Sequence, residues 1–529
     1  MLRINLKSIS NVYHKKYTMK NLLLLLLFTL PMAAFSQKIK LKVDDQKDTT
    51  VFLVKYYGKN ILYADTAEMV KEVVTFDGSK QKPGMLGLLL PGQKFFEFIY
   101  NKDEIDIETK GPDYVANMKV KKSEENILFL SYINYLKTSR EKANALMDQS
   151  RSLDKNSKEY KDLMNQVDGI SGAVKTFQVD FAEKNKGKLV GKIVKMSTDV
   201  EIPEAPKNEK GQVIDSNFRY YYYREHYFDN IDLRDDRLVN TAMFHQKIEY
   251  FFGDKFLLQI PDTIAVQAIS MLDKMDYRSE MFKYTLTHIM VNAEKSKIMG
   301  MDKLFTILGD RYYCKDAPDG KSYVDWMTSD KLEELCKKIK TNKNLVVGAK
   351  AINIKLTDST EVNWHDFYSL KSDYVILYFW EATCGHCKKS TPLLQKLYAE
   401  KLKARNVEVF GISKAIGEDF KTWKKFISDN KLSFINVALT DKIYKEAQKD
   451  PYKFIPHITT IESLNYSDTY DIYSTPRVFV LDKDKKIIGK GLTISQLEDF
   501  MDRVQKVENA KKIIPADKNK EDEHDEEHH

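Results

Sequence analysis

The stretch Leu377-Tyr-Phe-Trp-Glu-Ala-Thr-Cys384-Gly-His-Cys387-Lys-Lys-Ser-Thr-Pro392 joins two kinds of local order. Residues 374–380 are a run of β-branched and aromatic side chains, which reads as a buried strand. A short turn follows, with Cys384 and Cys387 separated by two residues. An amphipathic helix comes next, with Leu393, Leu394, Leu397 and Tyr398 on one face. At such a junction the first sulfur meets unpaired N–H groups and the positive end of the helix dipole. Both favour an anion, and the thiolate is the reactive form of cysteine, so this position activates Cys384. Cys387, one turn further on, is placed to attack a mixed disulfide formed on Cys384. The pattern predicts a dithiol/disulfide redox site. A zinc centre needs two further ligands, and no second Cys-x-x-Cys or His pair lies nearby in sequence. Haem attachment needs a His after the second cysteine, where this chain has Lys388.

The segment resembles the thioredoxin superfamily, and within it the TlpA-type thiol-disulfide oxidoreductases of the bacterial cell envelope. Pro392 matches the kink proline of the family's active-site helix. Thr475-Pro476, ahead of the strand Val478-Phe-Val-Leu481, matches the pair at the family's cis-proline. The resemblance implies that Pro476 faces the two cysteines, and that Thr475 and Pro476 shape the surface where a substrate chain docks. It covers residues 345–508 and implies a mixed sheet flanked by helices. The expected order is strand 374–380, helix 387–404, strand 407–413, helix 418–429, strand 478–481, strand 486–490 and helix 494–506. Two positions depart from the pattern. The buried carboxylate expected six residues before the first cysteine is Tyr378, and the tryptophan expected directly before it is Thr383. Glu381 is the nearest substitute acid and a candidate proton acceptor for Cys387. Gly385-His386 is also the dipeptide of protein disulfide isomerase. That likeness implies a site more oxidising than thioredoxin, about −180 mV against about −270 mV. His386 is then read as favouring the Cys384 thiolate, the alternative being a merely exposed ring.

Outward from this centre the chain predicts a multidomain α/β protein. Residues 37–115 read as a small β-sandwich-like domain. Ile39, Leu41 and Val43 alternate with lysines. Further strands are expected over 50–57, 60–64, 72–76, 85–90, 94–99 and 104–109, with turns at Asp77-Gly78 and Pro91-Gly92. Residues 116–344 read as a helical domain, interrupted by a loop over 200–215 and broken at Gly253, Pro261, Gly300 and Pro318-Asp319-Gly320. Cys314 and Cys336 in it are read equally as a structural disulfide or as two separate buried thiols. Residues 440–465 exceed what a minimal thioredoxin fold needs before the cis-proline strand. They are read as a lid or partner-facing loop, or else as a short surface helix. Residues 509–529 are an acidic, His-containing tail expected to be disordered.

With 529 residues, 43% hydrophobic and 30% charged, the chain has the composition of a soluble globular protein with several domains. Four cysteines exclude a disulfide scaffold. The net charge of +7 comes largely from the leader. Without residues 1–36 there are 79 basic against 77 acidic residues, which gives no reason to expect nucleic acid. Met19-Lys20-Asn21 and the leucine run after it form a signal-peptide pattern over 1–36, with cleavage expected between Ser36 and Gln37 and Met19 a possible true start. The mature protein is therefore expected to be exported to the periplasm and not to span the membrane. The combined expectation is a periplasmic thiol-disulfide oxidoreductase, a disulfide reductase or isomerase. It would act on envelope protein disulfides through Cys384-Gly-His-Cys387, need no dissociable cofactor, and be served by a membrane or periplasmic electron donor. The alternative is a redox-switched binding or adaptor protein without turnover.

Overall fold

A computed structural model describes residues 37–507 and 510–517. The leader expected over 1–36 and residues 518–529 of the expected disordered tail lie outside the described residues; residues 510–517 of that tail are ordered against the domain instead, with Ile514 buried and its N–H bonded to Glu498. The chain divides into two compact units, Met1–His245 and Gln246–His529.

In the first unit the alternation of apolar residues with lysines becomes strand β1 (Lys38–Asp44), where Ile39, Leu41 and Val43 are buried. It is followed by β2 (Thr49–Tyr57), β3 (Asn60–Met69), β4 (Val73–Asp77), β5 (Gly84–Leu90), β6 (Lys94–Tyr100), β7 (Ile105–Lys110) and β8 (Lys119–Lys122). Two four-stranded sheets result, in the orders β4-β1-β7-β8 and β3-β2-β5-β6. The β1–β7 pair is parallel and the other pairings are antiparallel. Inward side chains such as Leu41, Ile105 and Ile107 of one sheet share a core with Leu53, Leu88 and Phe98 of the other, as in a sandwich.

Helices α1 (Glu124–Ser150), α2 (Lys158–Lys184), α3 (Leu189–Ser197), α4 (Phe218–His226) and α5 (Ala242–Phe252) come next. The start of α1 is tied to the sheet by Asn126, whose side chain bonds both the N–H and the carbonyl of Ile99 at 2.8 and 2.7 Å. The neighbouring Glu125 carboxylate accepts the N–H groups of Leu189 and Val190 at 2.9 and 2.7 Å. It thereby satisfies free donors at the start of α3, which has no capping side chain of its own. The expected loop over 200–215 holds no helix or strand, only a bridge between Lys207 and Val213.

Beyond α5, most of which already lies in the second unit, that unit holds α6 (Pro261–Leu272), α7 (Glu280–Lys295), α8 (Asp302–Tyr312) and α9 (Ser329–Lys343). Pro261 opens α6 at a position where a missing N–H costs nothing. Cys314 and Cys336 are joined in a disulfide with their Cα atoms 5.4 Å apart, which decides between the two readings of that pair.

The C-terminal domain is thioredoxin-like, as expected. Its elements are β9 (Lys355–Thr357), β10 (Trp364–Asp366), β11 (Tyr374–Phe379), α10 (Gly385–Leu397), β12 (Val407–Ala415), α11 (Asp419–Asp429), β13 (Ile435–Thr440), α12 (Asp441–Lys449), α13 (Ile461–Leu464), α14 (Tyr466–Thr469), β14 (Arg477–Leu481), β15 (Ile487–Lys490) and α15 (Ile494–Val504). The sheet runs β10-β9-β13-β12-β11-β14-β15, with β11, β12 and β13 parallel. Strand β11 is covered on both faces. Ile376 and Tyr378 join the core that includes Leu394, Leu397 and Leu497, while Leu377 and Phe379 join the one that includes Phe410, Tyr466 and Tyr470. Burial on both faces is why the strand reads as continuously apolar.

Of the two readings of residues 440–465, the structure has short helices, α12 and α13, in place of an open loop. Thr440 caps α12 by accepting the N–H of Ile443, which is itself buried. Just beyond this span, the rings of Tyr466 and Tyr470 pack on Phe379 with centroids 5.8 and 4.9 Å away. The segment therefore closes one face of the sheet.

Candidate active site

Strand β11 delivers the chain to the turn through Trp380, whose N–H bonds the carbonyl of Ile412 at 3.0 Å. The turn closes with the N–H of Cys384 on the carbonyl of Glu381 at 3.2 Å. Cys384 is the N-cap residue of α10, and its carbonyl accepts the N–H of Lys388 at 3.0 Å. Its sulfur takes the place that a serine or aspartate oxygen usually holds at a helix start. The N–H of Cys387 donates to Cys384 Sγ at 3.4 Å. No helix residue crowds Gly385, where an added Cβ would meet open space. Pro392 lies inside α10.

The second wall comes from far along the chain. The Thr475-Pro476 peptide bond is cis, and the Cys384 thiol donates to the carbonyl oxygen of Thr475 at 3.2 Å. Thr475, the residue before the cis proline Pro476, thus stands against the sulfur of Cys384.

The two sulfurs differ in environment. Cys384 is partly exposed and Cys387 is buried. Burial works against ionising Cys384, but it is outweighed by the Cys387 N–H, the Thr475 side chain, the Cys387 thiol and the His386 N–H, so the Cys384 thiol sits below its ordinary value. Burial pushes the Cys387 thiol up to about 12. One sulfur is therefore disposed to act as a thiolate, while the other keeps its proton until a reaction step removes it.

His386 lies in the first turn of α10 with its side chain exposed. What reaches Cys384 from this residue is the backbone N–H. Glu381 is half-buried, and its carboxylate hydrogen-bonds neither cysteine among the described residues. Its N–H acts on Cys387, and its charge acts on the buried phenol of Tyr466, which burial first and Glu381 second push upward. At the family's buried-carboxylate position the Tyr378 hydroxyl bonds Ser390 Oγ and Thr391 Oγ1, both at 2.9 Å. Burial pushes its phenol up, so this position stays neutral. Ser390 and Thr391 escaped the sequence reading, although their spacing from Cys387 puts them on the inner side of the same helix.

Residues 347–490 match the model of the AhpC/TSA family. The C-terminal domain belongs to the AhpC/TSA family. Residues 152–347 match a second model, described as a domain of unknown function (DUF5106). Two proteins named thiol-disulfide oxidoreductase ResA are similar to this chain. The one from Bacillus cereus is 28% identical over 161 residues, covering 30% of this chain and 78% of its own length. The one from Halalkalibacterium halodurans is 25% identical over 161 residues, covering 30% and 77%. A solved domain of a possible thiol-disulfide isomerase from Cytophaga hutchinsonii is 31% identical, with 30% of this chain and 94% of that chain covered and a TM-score of 0.24. Both curated relatives are named as thiol-disulfide oxidoreductases.

Proposed function

We propose that the protein is a periplasmic thiol-disulfide oxidoreductase acting on disulfides of envelope proteins through Cys384 and Cys387. The observation that carries this reading is the placement of Cys384 Sγ, capped by the Cys387 N–H and set against Thr475. The Cys384 thiolate attacks one sulfur of a substrate disulfide. A Cys384–substrate disulfide forms, and the departing substrate thiolate takes up a proton. Cys387 then gives up its proton and attacks Cys384 Sγ, forming the Cys384–Cys387 disulfide and releasing the second substrate thiolate, which is protonated in turn. Two electrons pass from enzyme to substrate, and both travel on sulfur, so the step needs no dissociable cofactor.

Thr475 and Pro476 line the place where the substrate sulfur approaches. Glu381, beside the turn, is assigned as the acceptor for the proton of Cys387, and His386 as support for the Cys384 thiolate. A membrane or periplasmic donor returns the pair to the dithiol. The export reading is supported by the leader pattern and by the Cys314–Cys336 disulfide, a bond that persists in oxidising compartments. Among the described residues no helix is long and apolar enough to cross a membrane.

The test is stoichiometric. Reduced protein mixed with oxidised glutathione should consume one disulfide per Cys384–Cys387 pair, and the Cys384→Ser protein none. Equal consumption by both would remove the reading.

A further inference from the structure

A cleft of about 490 Å³ opens between α9 and residues 467–473, the stretch that leads into Thr475. Its apolar lining comes from Met327 and Leu335 on one side and Ile472 and Tyr473 on the other. Its rim carries Lys331 from α9 and Asp468 from the facing segment, and the other charged residues along it likewise bring both signs. Such a rim is unsuited to a polyanion. The walls are held together. Asn342 near the end of α9 donates to Asp471 at 3.2 Å, and Cys336 within α9 is bonded to Cys314.

Tyr473 is 82% exposed although it is a large aromatic side chain. Exposed aromatics among other apolar lining residues are typical of surfaces that take a partner, where Tyr is enriched among the residues that carry binding energy. Its position along the chain matters most. Consecutive Cα atoms are about 3.8 Å apart, so Tyr473 lies within about 8 Å of Thr475. The carbonyl of Thr475 is itself 3.2 Å from Cys384 Sγ. An extended polypeptide advances about 3.3–3.6 Å per residue. A substrate chain whose cysteine sits on Cys384 therefore reaches the cleft about two to four residues away.

We propose that this cleft is the specificity site for the polypeptide flanking the substrate's disulfide, and that it takes an apolar side chain about two to four residues from the substrate cysteine. The inference rests on the oxidoreductase reading above. It also gives α9, in a region matched by a family model of unknown function, a part in choosing substrates. Met327 suits the task, because an unbranched thioether adapts to side chains of different shape.

The probes are disulfide-linked dimers of short Gly/Ser peptides. Each peptide carries one cysteine and a single leucine that is moved across the neighbouring positions on either side. Oxidised glutathione is the control that cannot reach the cleft. The wild-type protein should favour one leucine position about tenfold in kcat/KM over the peptide without leucine, chiefly through KM. Tyr473→Ala and Leu335→Lys should each lose that preference while keeping the rate on glutathione disulfide within about twofold. The inference is overturned by a wild-type protein that reduces all peptides alike, by a preference that survives both variants, or by variants that slow both probes equally. A wild-type protein that reduces neither probe removes the oxidoreductase reading, and this inference with it.

Discussion

The sulfur of Cys384 lies 3.2 Å from the carbonyl oxygen of Thr475, a residue 91 positions further along the chain. The thiol uses that carbonyl as an acceptor. The thiolate has no proton to donate and is instead served by the N–H groups of the first turn of α10 and by the Thr475 side chain. Thr475 is thus a partner of the sulfur in both protonation states.

The first prediction concerns the division of labour between the sulfurs. Cys384→Ser should lower kcat/KM for a disulfide substrate by at least about 10³, since it removes the nucleophile. Cys387→Ser should still attack and then stall, accumulating mixed disulfides with partner proteins. Non-reducing gels of envelope extracts read this directly. Trapping by the Cys384→Ser protein in place of Cys387→Ser would reverse the assignment.

The second prediction follows from the depressed pKa of Cys384. Alkylation of the reduced protein by iodoacetamide, followed against pH, should reach its half-maximal rate at Cys384 below the ordinary thiol range, while Cys387 stays unreactive until the pH approaches about 12. A group whose folded pKa is lowered holds its charge down to lower pH, so the thiolate form is lost only as pH falls through that folded value. Thr475→Val removes the hydroxyl but keeps the backbone. The Cys384 profile should move to higher pH, and alkylation at neutral pH should slow severalfold. An unmoved profile would mean that the hydroxyl does not serve the thiolate.

Much of this architecture could be read from local pattern. The Cys-x-x-Cys turn stood out because a strand buried on both faces ran straight into an amphipathic helix, and β1 stood out because lysines alternate with Ile39, Leu41 and Val43. What escaped was mostly non-local. Nothing near Cys384 in sequence points to Thr475, and only likeness to a family brought the two together. The Cys314–Cys336 pair stayed open because 22 residues of separation say nothing about whether two Cβ vectors meet. The capping of α3 by Glu125 joins residues 64 and 65 positions apart, which no periodicity encodes. For 440–465 a local cue did exist, since Thr440 before Asp441 is a helix-start signal, but the polar composition beyond it masked a buried role for Ile443.

A third prediction addresses stability. Lys401 is buried and donates to Glu498 at 2.6 Å and Asp502 at 3.0 Å, while Arg405 donates to Asp502 at 2.7 Å. The Glu498 carboxylate also accepts the N–H groups of Ile513 and Ile514, which straps the chain after α15 onto the domain. Lys401→Met leaves the buried Glu498 carboxylate without its cation, while Asp502 keeps Arg405 and Lys512, and should cost about 3–5 kcal/mol in urea denaturation. Although burial opposes ionisation, the hydrogen bonds and cations hold Asp502 down at about 2 and Glu498 below its ordinary value. Carboxylates with depressed folded pKa values contribute stability above their unfolded pKa and lose it as pH falls through the folded one. Wild-type stability should therefore decline from about pH 5 down toward about pH 2, with a shallower decline in Lys401→Met. Parallel pH profiles for the two proteins would show that Lys401 does not set these pKa values.

The last prediction separates two ways in which His386 can act on Cys384. Its ring is exposed, while its N–H lies among the groups that hold the thiolate down, as the last of them. His386→Pro removes that N–H at a place in the first turn where proline is tolerated. His386→Ala removes the ring and keeps the N–H. Stabilising the thiolate stabilises the reduced form and raises the reduction potential. With the N–H gone, the potential should fall on the order of 10–30 mV, since 30 mV corresponds to about 1.4 kcal/mol in a two-electron couple. The alanine protein should stay close to wild type, whose potential is expected between those of thioredoxin and protein disulfide isomerase. Glutathione redox titration of the three proteins decides the matter. An equal fall in both variants would assign the effect to the imidazole, and no change in either would end any tuning role for His386. The N–H account holds only if proline alone lowers the potential, because only proline takes a donor away from the sulfur.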